Sequence, residues 1–276
     1  MDAATERDLV SAALDDLHVT AIQELDGAWR VFFASDADRA HAAAALRGAA
    51  GRGVAVAPED VPDEDWARRS QEGLGPVRVG RVVIAPPWAA GAAPPDGGRP
   101  AGATVILVLP SMGFGTGHHA STRLCVALLQ EIDLRGRRVL DVGTGSGVLA
   151  LVAHALGAGS VVAVDHDADA VAAARDNFDL NHVSGIDLRL GDFRDLSGLG
   201  ADVVTANLTG GLLLRGAPRL LDAVGPFGWL VVSGVTADEQ AEVAGAFHPA
   251  LRLVTALAED GWVGLLLHRS QGSAGH

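Results

Sequence analysis

The chain contains no lysine and no tyrosine among its 276 residues, so all 21 of its basic residues are arginine. Alanine, glycine and arginine are abundant, and a bias in nucleotide composition accounts for both gaps. Cysteine occurs once, at Cys125, which excludes an internal disulfide and gives no sign of an oxidising compartment. No apolar run reaches the roughly 20 residues of a membrane-spanning helix. Positions 1–6 lack a basic region leading into an apolar run, so no signal peptide is expected. Positive charge is also short: 34 acidic against 21 basic residues leave a net charge of −13. A surface of that sign repels phosphate backbones and attracts basic proteins, which argues against nucleic-acid binding. These absences point to a soluble, cytoplasmic protein, expected as a monomer, that contacts neither nucleic acid nor membrane.

Apolar residues make up 49% of the chain and charged residues 20%, enough for a sizeable core. Residues 5–17 have the spacing of an amphipathic helix, with Leu9, Val10, Ala13, Leu14 and Leu17 on one face. Positions 19–25 and 28–33 read as a hairpin around Asp26-Gly27, a strong turn pair. A helix over 36–50 and a short strand at 54–57 complete an expected α+β domain at 1–57. It is too small to contain the chemistry found downstream and is expected to recognise a substrate. Residues 58–103 read as a linker: an acidic stretch, Trp66 on a short helix, a strand at 77–85, then a segment dense in Pro, Gly and Ala. From 104 to 276 strands and helices alternate. Strands are expected at 138–142, 161–165, 187–190, 202–207, 229–234, 251–256 and 262–268, and helices at 148–156, 168–181, 212–223 and 237–247. Most strands are continuous apolar runs, as in a parallel sheet covered on both faces, and the last two form a hairpin at the edge. The fold class is therefore α/β, a doubly wound seven-stranded Rossmann-like sheet preceded by a small α+β domain.

The strongest chemical signal is Val139-Leu140-Asp141-Val142-Gly143-Thr144-Gly145-Ser146-Gly147, a strand running into glycines that open a helix. Glycines allow a tight turn and close approach of backbone to ligand, and the helix start offers free N–H groups. Gly145-x-Gly147-x-x-Ala150 also fits a dinucleotide pattern, and Asp165, ending the next strand to accept both hydroxyls of a ribose, suits NAD equally well. The wider set discriminates better. Gly143, Gly145 and Gly147 alternate after an acidic residue, Asp192 follows the third strand within reach of an adenine amino group, and Asn207 ends the fourth with an amide to offer a substrate amine. Together these resemble the class I S-adenosylmethionine-dependent methyltransferases, with a nicotinamide enzyme and an inactive cofactor binder as alternatives. Plainer readings stand beside several residues. Asp192 serves equally well as a turn cap, and Trp66 and Trp88 as linker packing. His118 and His119 lack further ligands at metal-binding spacing, so no metal is expected. Cys125 reads as a small buried apolar residue in a helix, and Ser121 and Ser146 have no hydrolase pattern around them.

Upstream the likeness narrows. Pro110-Ser-Met112-Gly-Phe114-Gly115-Thr116-Gly117-His118-His119-Ala-Ser-Thr122-Arg-Leu124 resembles the signature loop of the ribosomal protein L11 methyltransferases. Asp63-Glu64-Asp65-Trp66, Ala85-Pro86-Pro87-Trp88, Asn207-Leu208 and Gly261-Trp262-Val263 resemble further segments of that family, so the match runs over roughly 60–268. The resemblance implies transfer of methyl groups from S-adenosylmethionine to lysine side chains and the terminal amine of ribosomal protein L11. It implies cofactor contacts at Thr122, Gly143, Asp165 and Asn207, and a loop of Phe114, Gly115, Thr116 and Gly117 closing over the methionine end. It also implies a small N-terminal domain that holds the substrate. Three features depart from the family: Ala120 replaces Pro or Glu, the chain starts in a helix where an extra strand is usual, and 86–102 is longer.

The reading is thus a protein N-methyltransferase using S-adenosylmethionine, with Asn207 orienting the amine and L11 as partner. A methyltransferase of the same fold with another protein or small-molecule substrate is the alternative, and a binding module with a vestigial site is the non-enzymatic one. An enzyme without lysine would also escape methylating itself, although composition explains that absence more simply.

Overall fold

The computed structural model describes residues 19–25, 28–33, 36–49, 56–58, 74–92, 102–109, 117–193 and 198–269. The chain divides into two compact units, 1–66 and 67–276. In the smaller, β1 (Val19–Leu25) and β2 (Ala28–Phe33) pair antiparallel with Leu25 opposite Ala28, as the Asp26-Gly27 turn predicts. α1 (Asp36–Ala49) follows. The expected helix at 5–17 lies outside the described residues. So do positions 54 and 55 of the expected strand at 54–57, and positions 56 and 57 do not belong to a strand.

The larger unit begins where a linker was expected. β3 (Val77–Val79) and β4 (Val82–Ala85) form a tight hairpin, and β4 pairs in parallel with β5 (Thr104–Leu107). The expected linker at 58–103 therefore carries two strands of a three-stranded sheet. The reason is burial: Val82, Val83, Ile84 and Ala85 are all buried, and Val82 and Ile84 pack with Ile106 and Val108 into the main core. The third strand was hidden because its partner lies across the Pro- and Gly-rich segment rather than next to it.

After α2 (Ala120–Leu129) come β6 (Arg138–Val142), α3 (Val148–Ala155), β7 (Ser160–Asp165), α4 (Ala168–Leu180), β8 (Ile186–Leu190) and β9 (Ala201–Asn207). α5 (Gly210–Ala223), β10 (Val224–Thr236), α6 (Gln240–Phe247), β11 (Arg252–Glu259) and β12 (Trp262–His268) complete the unit. The seven-stranded sheet has the order β11-β12-β10-β9-β6-β7-β8. It is parallel from β10 to β8, and β12 runs antiparallel to both β10 and β11. Alternate residues serve opposite faces. Val139, Val203, Val231 and Leu266 join α2, α3 and α4 in one core, while Leu140, Val204, Leu230 and Leu265 join α5 and α6 in the other. That two-sided burial is why these strands are mostly apolar. Because β9 returns to the other side of β6, the sheet has a switch point beyond the carboxyl ends of β6, β7 and β9. No described helix is long and apolar enough to cross a membrane.

At the opposite edge the first residues of β6 and β9 are tied by charge. The Asp202 carboxylate accepts from the Arg138 backbone N–H at 2.9 Å and from its guanidinium at 2.9 Å. These bonds hold the carboxyl below its usual range, the guanidinium contributing most. A lowered folded-state pKa stabilises above the unfolded value, and that contribution disappears as pH falls through the folded value. Asp202→Asn is expected to cost about 0.5–1 kcal/mol at neutral pH, discounted because both side chains are partly in water. Urea unfolding at neutral pH and again below 3.8 should show the difference between the two proteins shrinking with acid.

Candidate active site at the sheet's carboxyl edge

The loop between β6 and α3 is shaped by its own neighbours. Gly143 and Gly147 have φ of 66° and 79°, where side chains are disfavoured. A Cβ at Gly143 would sit 2.5 Å from Leu208 Cδ2, and one at Gly147 2.5 Å from Phe178 Cε1. These glycines are therefore required by packing, whatever ligand the loop faces. Gly145, between them, has φ of 53°.

Three side chains anchor the residues between. Thr144 Oγ1 donates to Asp141 Oδ2 at 2.7 Å, the Gly145 N–H to Asp165 Oδ2 at 2.9 Å, and Asn177 Nδ2 to the Ser146 carbonyl at 2.8 Å. Asp141 also accepts from Thr205 Oγ1 on β9 at 2.6 Å, and burial pushes its carboxyl above the ordinary range. It is a tie between loop and strand. Asp165 ends β7, with Oδ1 accepting from the Asp167 N–H at 3.1 Å and the His166 ring nitrogen 3.4 Å away. Each Asp165 oxygen accepts one backbone N–H, and a carboxylate oxygen has room for a second donor.

Thr122, Asn207 and Asp192 lie at the same edge. Asn207 ends β9, and its Nδ2 lies 3.4 Å from Oγ1 of Thr122, a buried residue in the first turn of α2. The Gly191 N–H donates to the Asp165 carbonyl at 2.8 Å, which brings Asp192, just past β8, beside the end of β7. Gly117 has φ of 82°, and a Cβ there would meet Ile84 of β4 at 2.6 Å. Phe114, Gly115 and Thr116 lie outside the described residues, as does Trp66. Trp88 is exposed. No group of three or more His, Cys, Asp or Glu that could hold a metal ion lies among the described residues. The His118 Nε2 is 2.8 Å from the Gly75 carbonyl, while His119 caps α2 and sets its ring edge-on to Trp262 at 4.7 Å. Cys125 is buried beneath the site, and burial pushes its thiol far up, so it is inert at neutral pH.

Sequence reasoning missed four residues here. Arg123 donates to the His118 carbonyl, to Glu259 at 2.8 Å and to Asp260 at 3.1 Å, pinning the entry to α2 against the β11–β12 turn. Asn181 and Asn177 clamp the end of β5 and the residues just after it, at Leu107 and Leu109, and Gly234 underlies Asn207. No local pattern singled out the two asparagines, which stand four residues apart on α4 like ordinary polar positions of a helix.

Comparison with known proteins gives a consistent family. A family model described as ribosomal protein L11 methyltransferase (PrmA) matches residues 4–270. The ribosomal protein L11 methyltransferase of Symbiobacterium thermophilum is 41% identical over 208 residues, covering 75% of this chain and 66% of that protein. That of Azotobacter vinelandii is 39% identical over 206 residues, covering 74% and 68%. The chain thus spans about two thirds of the length of these curated relatives. Among solved structures, ribosomal protein L11 methylase from Lactobacillus delbrueckii subsp. bulgaricus matches with a TM-score of 0.64 at 26% identity, over 72% of this chain and 100% of that one.

Proposed function

The chain belongs to the ribosomal protein L11 methyltransferase family, and from that premise we propose that it transfers methyl groups from S-adenosylmethionine to amines of ribosomal protein L11. The reading rests on one observation: Asp165, Asp192, Asn207 and the three glycines lie at or just past the carboxyl ends of the neighbouring strands β7, β8, β9 and β6, around the switch point of the sheet. Asp165 would take the ribose hydroxyls with the capacity its two backbone bonds leave over. Asp192 would take the adenine amino group, the backbone at Gly143, Gly145 and Gly147 would lie against the cofactor, and Thr122 with residues 114–117 would cover its methionine end. Bound there, S-adenosylmethionine supplies a methyl group already activated by a positive sulfur.

The protein's share is orientation and the exclusion of water. Asn207 would orient the amine: its Nδ2 is turned to Thr122, which leaves the amide oxygen as the acceptor for an amine N–H. The amine must be neutral to attack, and a crevice poor in water disfavours its charged form. Asp141 does not act as a base, because its carboxylate is engaged by Thr144 and Thr205. The smaller unit would hold L11, and a net charge of −13 would speed the encounter with a basic partner.

Calorimetric titration should give binding heat with S-adenosylmethionine and none with NAD. Incubation with labelled cofactor and L11 should then place label on L11 amines, read by peptide mass mapping. Heat from NAD alone would overturn the cofactor, and label that never reaches L11 would overturn the substrate.

A further inference from the structure

Three consecutive residues of the glycine loop are each tied to a different element: Thr144 to Asp141 of β6, Gly145 to Asp165 of β7, and Ser146 to Asn177 of α4. The first two ties come from residues at the strand ends. The third comes from a fully buried side chain with no surface to offer a ligand. Asn177 donates to the Ser146 carbonyl at 2.8 Å while accepting from the Leu109 N–H at 2.8 Å. One amide therefore joins the loop to the backbone that continues β5. Reversing it would set donor against donor and acceptor against acceptor, so a single orientation is favoured. Asn181, one turn on, takes only the strand side. It accepts from the Leu107 N–H at 2.8 Å and donates to the Leu107 carbonyl at 2.6 Å and to the Asn177 carbonyl at 2.7 Å.

We propose that Asn177 is a positioning residue: it holds the glycine loop in its binding conformation through Ser146 and so raises affinity for S-adenosylmethionine without touching it. The proposal rests on the cofactor assigned above. A loop whose glycines all have positive φ has other conformations open to it, and ordering it only on binding would cost affinity. The buried amide orders it beforehand.

The test compares variants of the full chain. Asn177→Asp preserves volume and an acceptor for Leu109, but sets a carboxylate oxygen against the Ser146 carbonyl. Asn177→Ser, smaller and uncharged, covers the case in which a buried carboxylate unfolds the chain. Asn181→Ala breaks the clamp on Leu107 and leaves the Ser146 bond in place. Hydrogen exchange without cofactor should quicken at the amides of 143–147 in the position-177 variants and not in Asn181→Ala. The dissociation constant for S-adenosylmethionine should rise about tenfold in the position-177 variants alone, while kcat at saturating cofactor stays near that of the parent. Equal effects at 177 and 181, no effect at 177, or a loss of kcat in place of affinity would each overturn the proposal. A parent protein that does not bind S-adenosylmethionine would overturn the cofactor assignment instead, and the exchange comparison would still decide whether Asn177 holds the loop.

Discussion

Alanine at position 165 is expected to weaken S-adenosylmethionine binding by about 1.5–3 kcal/mol, the range for losing hydrogen bonds from a charged group. In dissociation constant that is roughly one to two orders of magnitude. The carboxylate has a second task, because the N–H groups of Gly145 and Asp167 both donate to it. Their loss should lower folding stability by about 1–2 kcal/mol, less than for a sealed site because water can reach these donors. Asp165→Asn separates the two tasks in part. Its single amide oxygen can still receive the Gly145 N–H, but its NH2 is set against the Asp167 N–H, and it cannot accept from both ribose hydroxyls. The asparagine variant should therefore lose less stability in urea than the alanine variant while its affinity falls by most of the alanine loss. An asparagine variant with unchanged affinity would restrict Asp165 to shaping the loop.

The parts of this architecture that were legible in sequence are those whose signal is local. β6 and β12 begin and end at the residues their sequences predict, because most of each strand is an apolar run buried on both faces. The hairpin β1–β2 was legible because its turn pair is specific. β5 was not. It becomes a strand by pairing in parallel with β4 across the Pro- and Gly-rich segment, and no local pattern encodes that partner. For the site, a glycine loop and acidic strand ends are readable because backbone shape and charge demand particular residue types. The supports are not. Asn177 and Asn181 look like the polar face of a surface helix until the fold sets β5 against them. Asp141 reads only as an acidic residue ahead of the glycines, and the buried threonines on either side reveal it as a tie.

Gly234 is the support on which the catalytic proposal depends most, and Gly234→Ala is expected to impair methyl transfer more than cofactor binding. The residue lies in a bulge of β10, where the register against β12 shifts between Val232 and Val235, and it has φ of 85°. Bulges with a glycine at positive φ bend a strand and re-aim what lies beside it. What lies beside it here is the end of β9: the Leu208 N–H donates to the Ser233 carbonyl at 3.0 Å. A Cβ at 234 would sit 2.4 Å from the Leu208 carbonyl oxygen and 3.1 Å from Asn207 Oδ1. The first contact is with backbone, so the clash cannot be relieved by rotating a side chain. Strain from φ and overpacking together should cost about 2–4 kcal/mol of stability. The relief available is displacement of Asn207 and Leu208, which moves the amide proposed to orient the amine. A shift on the order of 1 Å at such a group costs about a hundredfold in rate. Asp165 and Asp192 sit on the far side of β6 from this bulge, so the cofactor dissociation constant should rise by a smaller factor than kcat falls, the part that does change coming from Asn207 and from Leu208 against Gly143. Measuring urea unfolding, calorimetric affinity and kcat on the same preparation tests the argument. A variant that loses stability but keeps kcat would remove Asn207 from the amine's orientation.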